Sequence, residues 1–149
     1  MDGYAPMNVK DPLATNRLGE FAIAKVVLRA IEKDVDVFKP VVECRVDLVL
    51  DDGLKLYRTQ VKYAGGSSPK RCHGVVKVGL QKWRNDGRAI IPCYTADEID
   101  LLLVYVRKID RILWFGPEVF DGRDRLHIRL EPARNNQQKG CLIAEDYIW

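Results

Sequence analysis

Residues 44–63 read CRVDLVLDDGLKLYRTQVKY. Two runs with alternating apolar and polar residues, 44–50 and 54–63, flank Asp51-Asp52-Gly53. Alternation marks strands with one buried face, and Asp-Gly between two such runs marks a tight hairpin. If Asp52-Gly53 forms a two-residue type I′ loop, Asp51 pairs with Leu54 and Asp47 lies opposite Arg58. Opposed residues share a face, and the period of two then puts Gln60 and Lys62 on the face of Asp47. A three-residue bulged loop would change that parity.

Working outward, residues 15–33 carry a helical pattern, with Ile23, Ala24, Val27, Ala30 and Ile31 expected on one apolar face. Thr15 or Asn16 is the expected cap. Glu20, three residues before Ile23 and four before Ala24, is expected at the start of that face, where an unpaired carboxylate is costly. Downstream, 75–78, 101–106, 111–115 and 126–130 read as strands, the second of them a continuous apolar run typical of a buried strand. Residues 117–120 and 144–147 read as short helical turns. The expectation is one mixed α/β domain over 14–149, preceded by a Gly- and Pro-containing arm at 1–13.

With 149 residues, 47% of them apolar and 30% charged, the chain can bury a core without disulfides and reads as a soluble globular protein. No apolar run approaches the ~20 residues that cross a bilayer. The N-terminus lacks a basic segment followed by an apolar one, so no signal peptide and no membrane partner are expected, and the default location is cytoplasmic, with the nucleoid. Cys44, Cys72, Cys93 and Cys141 form no C-x-x-C pair, which argues against a zinc ribbon or redox dithiol; they are expected to be free, mostly buried thiols. The net charge of +3 conceals an asymmetry. Between Gly53 and Ile90 nine basic residues face a single acid, Asp86. A local excess of that size suits a polyanion such as nucleic acid, although a solvated basic face would look the same.

Asp47, Gln60 and Lys62 on one hairpin face, with Glu20 aimed at them from a helix, make a kit for metal-assisted phosphodiester hydrolysis. Magnesium prefers hard oxygen ligands, which the Asp47 carboxylate, the Gln60 amide, the Val61 carbonyl and Glu20 can supply; manganese should substitute. Such an ion polarises the phosphate and makes water a better nucleophile. Lys62 can orient the attacking water, help deprotonate it, or balance charge on the phosphate.

The order Gly19-Glu20 on a first helix, Val46-Asp47, twelve residues, then Gln60-Val61-Lys62 resembles the PD-(D/E)XK nuclease superfamily. More narrowly, RLGEFAIAKVVL, DLVLDDGLKLYRTQVKYA, IDLLLVYV, RNNQQKG and AEDY are similar to one branch of it, the bacterial (cyanobacterial) group I intron homing endonucleases that carry Gln in the motif. The resemblance runs from about Arg17 to Tyr147. It implies a restriction-endonuclease-like αβββαβ core with a mixed central sheet and Mg2+-dependent cleavage of double-stranded DNA. It also implies a homo-oligomer, dimer or tetramer, and catalytic roles for Glu20, Asp47, Gln60 and Lys62. Two departures from the superfamily pattern stand out. Val46 occupies the proline position, and Gln60 replaces an acid, which removes one negative charge from the metal site; the narrower branch shares that Gln.

Each site residue also has an ordinary reading. Lys62 could be an exposed strand lysine and Gln60 a polar strand residue. Asp47 could pair with Arg45 or Arg58, and Glu20 could answer the helix dipole. Two rival functions follow: a Holliday junction resolvase on the same core, and a non-catalytic DNA-binding protein. Lys70, Arg71, Lys77, Lys82, Arg84 and Arg88 are the expected DNA contacts, some to phosphates and some to bases. Asn135, Asn136 and Gln137 either touch DNA or hold the C-terminal segment. Cys72-His73 is too little for a metal site, His127 reads as a satisfied sheet residue, and Trp83, Trp114 and Trp149 as packing residues.

Overall fold

The computed structural model describes residues 12–65, 74–83, 90–132 and 140–149. The first helix, α1 (Pro12–Glu32), opens on a proline, whose missing N–H and fixed φ suit a first helical position. It therefore starts ahead of Thr15 and Asn16, which lie inside it and not at its cap. The arm expected at 1–13 falls almost wholly outside the described residues.

The face that α1 buries differs from the expected one. Ala22, Val26 and Ala30 are fully buried, whereas Ala24 is exposed, Ile23 and Val27 are half-buried, and Ile31 is 63% exposed. The contact stripe is rotated by about one residue, with Ala30 common to both. Small side chains let the helix lie close against Leu48, Leu50, Val61 and Leu103 of the sheet. Larger aliphatics would hold it away from a close-packed interface.

Beneath α1 runs a five-stranded sheet of β1 (Asp36–Phe38), β2 (Leu48–Asp51), β3 (Leu56–Ala64), β7 (Leu101–Val106) and β8 (Arg111–Phe115), in that spatial order. The β3–β7 pair is parallel and the rest antiparallel, so the sheet is mixed. Against its other face packs a three-stranded sheet, β4 (Val75–Gly79), β9 (Arg125–Arg129) and β10 (Leu142–Ile143), in the order β10-β9-β4. Val76, Val78, Leu126 and Ile128 meet Ala64, Leu102, Val104, Phe115 and Phe120 in one core. Burying each such Leu, Ile or Phe contributes about 1.5–3 kcal/mol. The result is a single α/β domain of three layers: helix, mixed sheet, smaller sheet. A helical turn α2 (Pro117–Phe120) and a 3-10 turn (Ala144–Tyr147) sit where the sequence suggests. The crossover from β3 to β7 runs, over its described part, through β4 and the pair β5 (Lys82–Trp83) and β6 (Ile90–Ile91).

The β2–β3 hairpin turns on four residues, not two. Asp51 pairs with Leu56 and Leu48 with Thr59. Asp52 explains the longer loop, because one carboxylate oxygen accepts the N–H groups of both Leu54 and Lys55 at 2.9 and 2.8 Å. Gly53, at φ +82°, takes the left-handed conformation between them. The register thus moves by two residues. Asp47 falls level with Gln60 instead of Arg58, and because the shift is even, the shared face is preserved.

The expected strand 44–50 is regular only from Leu48. Cys44 is exposed and Cys93 and Cys141 half-exposed, so these thiols are free but not buried as expected. Cys72 and His73 lie outside the described residues. His127 is in β9, yet its Nε2 is buried with no hydrogen-bond partner among the described residues, unlike the satisfied histidine expected. Among the described residues no helix is long and apolar enough to cross a membrane.

Candidate active site

Asp47 stands one residue ahead of β2. Its backbone N–H reaches the Thr59 carbonyl at 2.9 Å. Strand β3 continues past the end of β2, so the N–H of Val61 meets no β2 carbonyl and is taken at 2.8 Å by the Asp47 carboxylate instead. The same oxygen, Oδ2, accepts a hydrogen bond from Gln60 Nε2. Among the described residues Oδ1 receives none.

Alternation along β3 then sorts the faces. Val61 joins the core under α1, whereas Ala64 joins the core under the smaller sheet. Gln60 and Lys62 share the latter face. Gln60 is 8% exposed, one of two buried polar residues in the described chain. The Lys62 ammonium lies 5.0 Å from the centroid of the Tyr94 ring.

Glu20 reaches this neighbourhood from the opposite layer. It is not on the buried face of α1: its side chain is 67% exposed and forms an ion pair with Lys39 at 3.6 Å. The rotation of the helix face moves it outward. Even so, Glu20, Lys39 and Asp47 line one surface cleft of about 310 Å³, rimmed by the exposed Val41 and Val42.

Burial pushes the Asp47 carboxyl above the ordinary aspartate range, against the pull of the Val61 N–H and the nearby Lys62 charge; Glu20 adds to the rise and Lys39 opposes it. Neither arginine that the sequence offered as an ordinary partner pairs with it. Arg45 binds Glu98 at 3.3 Å, and the Pro92 and Cys93 carbonyls at 2.9 and 3.1 Å. Arg58 grips Asp100 through two nitrogens at 3.0 Å each. Asp47 is therefore a partly desolvated carboxylate with two N–H donors and no ion pair among the described residues, an arrangement that favours a cation.

The donors at hand are hard oxygens: Asp47 Oδ1, the Gln60 amide, the Val61 carbonyl and, across the cleft, Glu20. They fit magnesium or manganese better than zinc, which takes nitrogen and sulfur. Among the described residues no three His, Cys, Asp or Glu cluster tightly enough to hold a metal by themselves.

Of the expected DNA contacts, Lys77 is exposed on β4, opposite His127. Lys82 is in β5. Lys70, Arg71, Arg84 and Arg88 lie outside the described residues, as do Asn135, Asn136 and Gln137. Arg58, part of the basic excess, is neutralised by Asp100. Sequence reading missed Lys39 and Tyr94: Lys39 sits in a segment with no motif, and Tyr94 arrives through a loop fold-back that no local pattern announces. Trp114 is 42% exposed on β8, and the Trp149 main chain ties to Ile112 at 3.0 Å.

Comparison with known proteins bears on the fold and the family. A solved structure described as that of a bacterial homing endonuclease, I-Ssp6803I, superposes with a TM-score of 0.72 at 25% sequence identity. The match covers 90% of this chain and 88% of that one. No curated protein sequence matches. The family model described as PD-(D/E)XK endonuclease matches residues 13–149. That match spans nearly the whole chain, and the chain belongs to the PD-(D/E)XK endonuclease family, a family of phosphodiester hydrolases.

Proposed function

We propose that this protein is a magnesium-dependent, site-specific endonuclease of double-stranded DNA, of the intron-homing kind. The observation that carries the reading is Asp47, desolvated, unpaired by any arginine, and held by the main-chain N–H of β3 beside Gln60 and Lys62. The similarity to a bacterial homing endonuclease over nearly the whole chain supports the homing assignment.

In this reading Asp47, Gln60, the Val61 carbonyl and Glu20 would hold Mg2+, which would supply charge for the phosphate and make water a better nucleophile. Asp47 must be ionised to do so, so protonating it competes with metal binding. Gln60 would contribute its amide oxygen while its Nε2 donates to Asp47. Lys62 orients the attacking water and offsets charge developing on the phosphate. The open cleft suits a backbone phosphate and not an enclosed small molecule. The basic residues between Lys70 and Arg88 grip DNA, and a homo-oligomer brings one site to each strand, acting on DNA in the cytoplasm.

End-mapping tests the reading. The protein is incubated with a diverse pool of linear DNA in magnesium, beside Asp47→Ala, and new ends are sequenced. Ends clustered at one long, partly degenerate sequence and absent with the variant are expected. If no ends are enriched, a labelled four-way junction separates a junction resolvase, which cuts it, from a non-catalytic DNA-binding protein, which does not.

A further inference from the structure

Lys62 is a long, flexible side chain two residues from Gln60 and close enough to Asp47 to pull its pKa down, yet it makes no ion pair with any carboxylate among the described residues. Its ammonium rests against the ring of Tyr94, 5.0 Å from the centroid. An aromatic face attracts a cation through its quadrupole without neutralising it. A lysine held this way is directed but keeps its full charge for an anionic substrate.

The ring itself is buried. Tyr94 is 7% exposed and belongs to the core beneath the smaller sheet. Its carbonyl accepts the Gly122 N–H at 3.1 Å. A second cation, the Arg45 guanidinium, lies 4.3 Å from the ring centroid. Arg45 is fixed in turn by Glu98 and by the carbonyls of Pro92 and Cys93, and Glu98 also accepts the Thr95 N–H at 3.1 Å. The segment 92–98 is thus wound around Arg45, which precedes Asp47 by two residues. One strap connects the segment that leads through Asp47 into β2 to the ring under Lys62.

We propose that Tyr94 is a positioning residue for Lys62, and that the Arg45–Glu98 pair holds the Tyr94 ring so that the lysine and Asp47 keep a fixed relation. The proposal rests on the endonuclease reading above and assigns a role to a residue outside the family motif. It needs the ring and not the hydroxyl, which has no hydrogen-bond partner among the described residues.

The test uses the full-length protein with Tyr94→Phe and Tyr94→Leu. Tyr94→Phe should cleave like wild type. Tyr94→Leu should lose roughly 10- to 100-fold in single-turnover cleavage rate, the scale expected for a misplaced catalytic group, with DNA affinity within about twofold. Carbon–proton NMR supplies a readout independent of cleavage. The Lys62 ε-methylene, assigned by its disappearance in Lys62→Arg, should be shifted upfield by the ring in wild type and Tyr94→Phe, and return to the ordinary lysine position in Tyr94→Leu. A wild-type Lys62 at the ordinary position overturns the proposal even if the leucine variant fails to fold. So does a folded Tyr94→Leu that cleaves at the wild-type rate. An upfield-shifted Lys62 in a wild-type protein that cleaves no DNA overturns the endonuclease reading instead, leaving the contact as a structural one.

Discussion

Two aspartates flank β3 in nearly mirrored positions. Asp47 stands one residue ahead of β2 on one side, and Asp100 one residue ahead of β7 on the other. Each gives its backbone N–H to a β3 carbonyl, Thr59 and Arg58 respectively. Each takes a β3 N–H on its carboxylate, from Val61 at 2.8 Å and from Arg58 at 2.9 Å. There the symmetry ends. Asp100 is clamped by the Arg58 guanidinium, which holds its carboxyl below the ordinary range. Asp47 has no such partner, and burial raises it. One carboxylate is satisfied and structural. The other carries the cost of burial, opposed by a main-chain donor and a nearby lysine, and its second oxygen accepts no hydrogen bond among the described residues. Both aspartates clip β3 to a neighbouring strand, but only Asp100 is matched by an arginine, which is why the proposed metal site centres on Asp47.

The contrast can be broken most forcefully at Lys62. Lys62→Ala should reduce cleavage by roughly 100- to 10,000-fold, as for loss of an acid–base or charge-stabilising group, with DNA affinity within about threefold. An equal loss of both, by gel shift and single-turnover rate, would make Lys62 a binding residue. Restoring the missing charge probes the same site more gently. Gln60→Glu should lower the magnesium concentration for half-maximal cleavage roughly tenfold, since affinity follows the number of charged ligands. An unchanged or higher requirement would place Gln60 outside the ligand set.

Stability without metal should show the two aspartates moving in opposite directions. A carboxyl with a raised pKa binds its proton more tightly in the folded state, so it costs stability once pH rises above the ordinary aspartate value. Asp47→Asn should therefore raise the metal-free Tm by about 2–4 °C at neutral pH, a gain that disappears below about pH 4. Asp100 has a lowered pKa, and its stabilisation is present above the ordinary value and lost as pH falls through the folded one. Its pair with Arg58 is partly exposed and screened, so Asp100→Asn should lower Tm by only about 2–4 °C at neutral pH. Thermal melts in chelator that moved both variants the same way would contradict the distinction. The smallest expected effect concerns the basic residues of the β3–β7 connection. Neutralising Arg84 and Arg88 should flatten the dependence of DNA affinity on salt by about one to two units of log–log slope. An unchanged slope would exclude them from phosphate contact.

Much of this architecture is legible in the sequence, and the failures have physical causes. Arg111–Phe115 and Leu101–Val106 are read with their observed bounds because their apolar patterns coincide with actual burial. The face shared by Asp47, Gln60 and Lys62 survives a wrong loop because Asp52 lengthens the turn by an even number of residues. The edge strand Asp36–Phe38 escapes notice because it is short and little buried, leaving no alternation to detect. The helix face is misjudged because Ile31 and Ala24 turn out to be exposed while Ala22 and Val26 join Ala30 in the contact, a shift of about one residue that periodicity alone does not resolve. That same error places Glu20 inward when it is on the rim. Tyr94 and Lys39 depend on chain crossings that only folding creates.

The central claim is that these two similar aspartates do different work, and cleavage tests it most directly. Wild type, Asp47→Asn and Asp100→Asn, each confirmed folded, are incubated with the diverse DNA pool in magnesium and their ends sequenced. The account predicts the wild-type set of ends with Asp100→Asn and none with Asp47→Asn. Ends retained by Asp47→Asn, or lost equally from both variants, would contradict it.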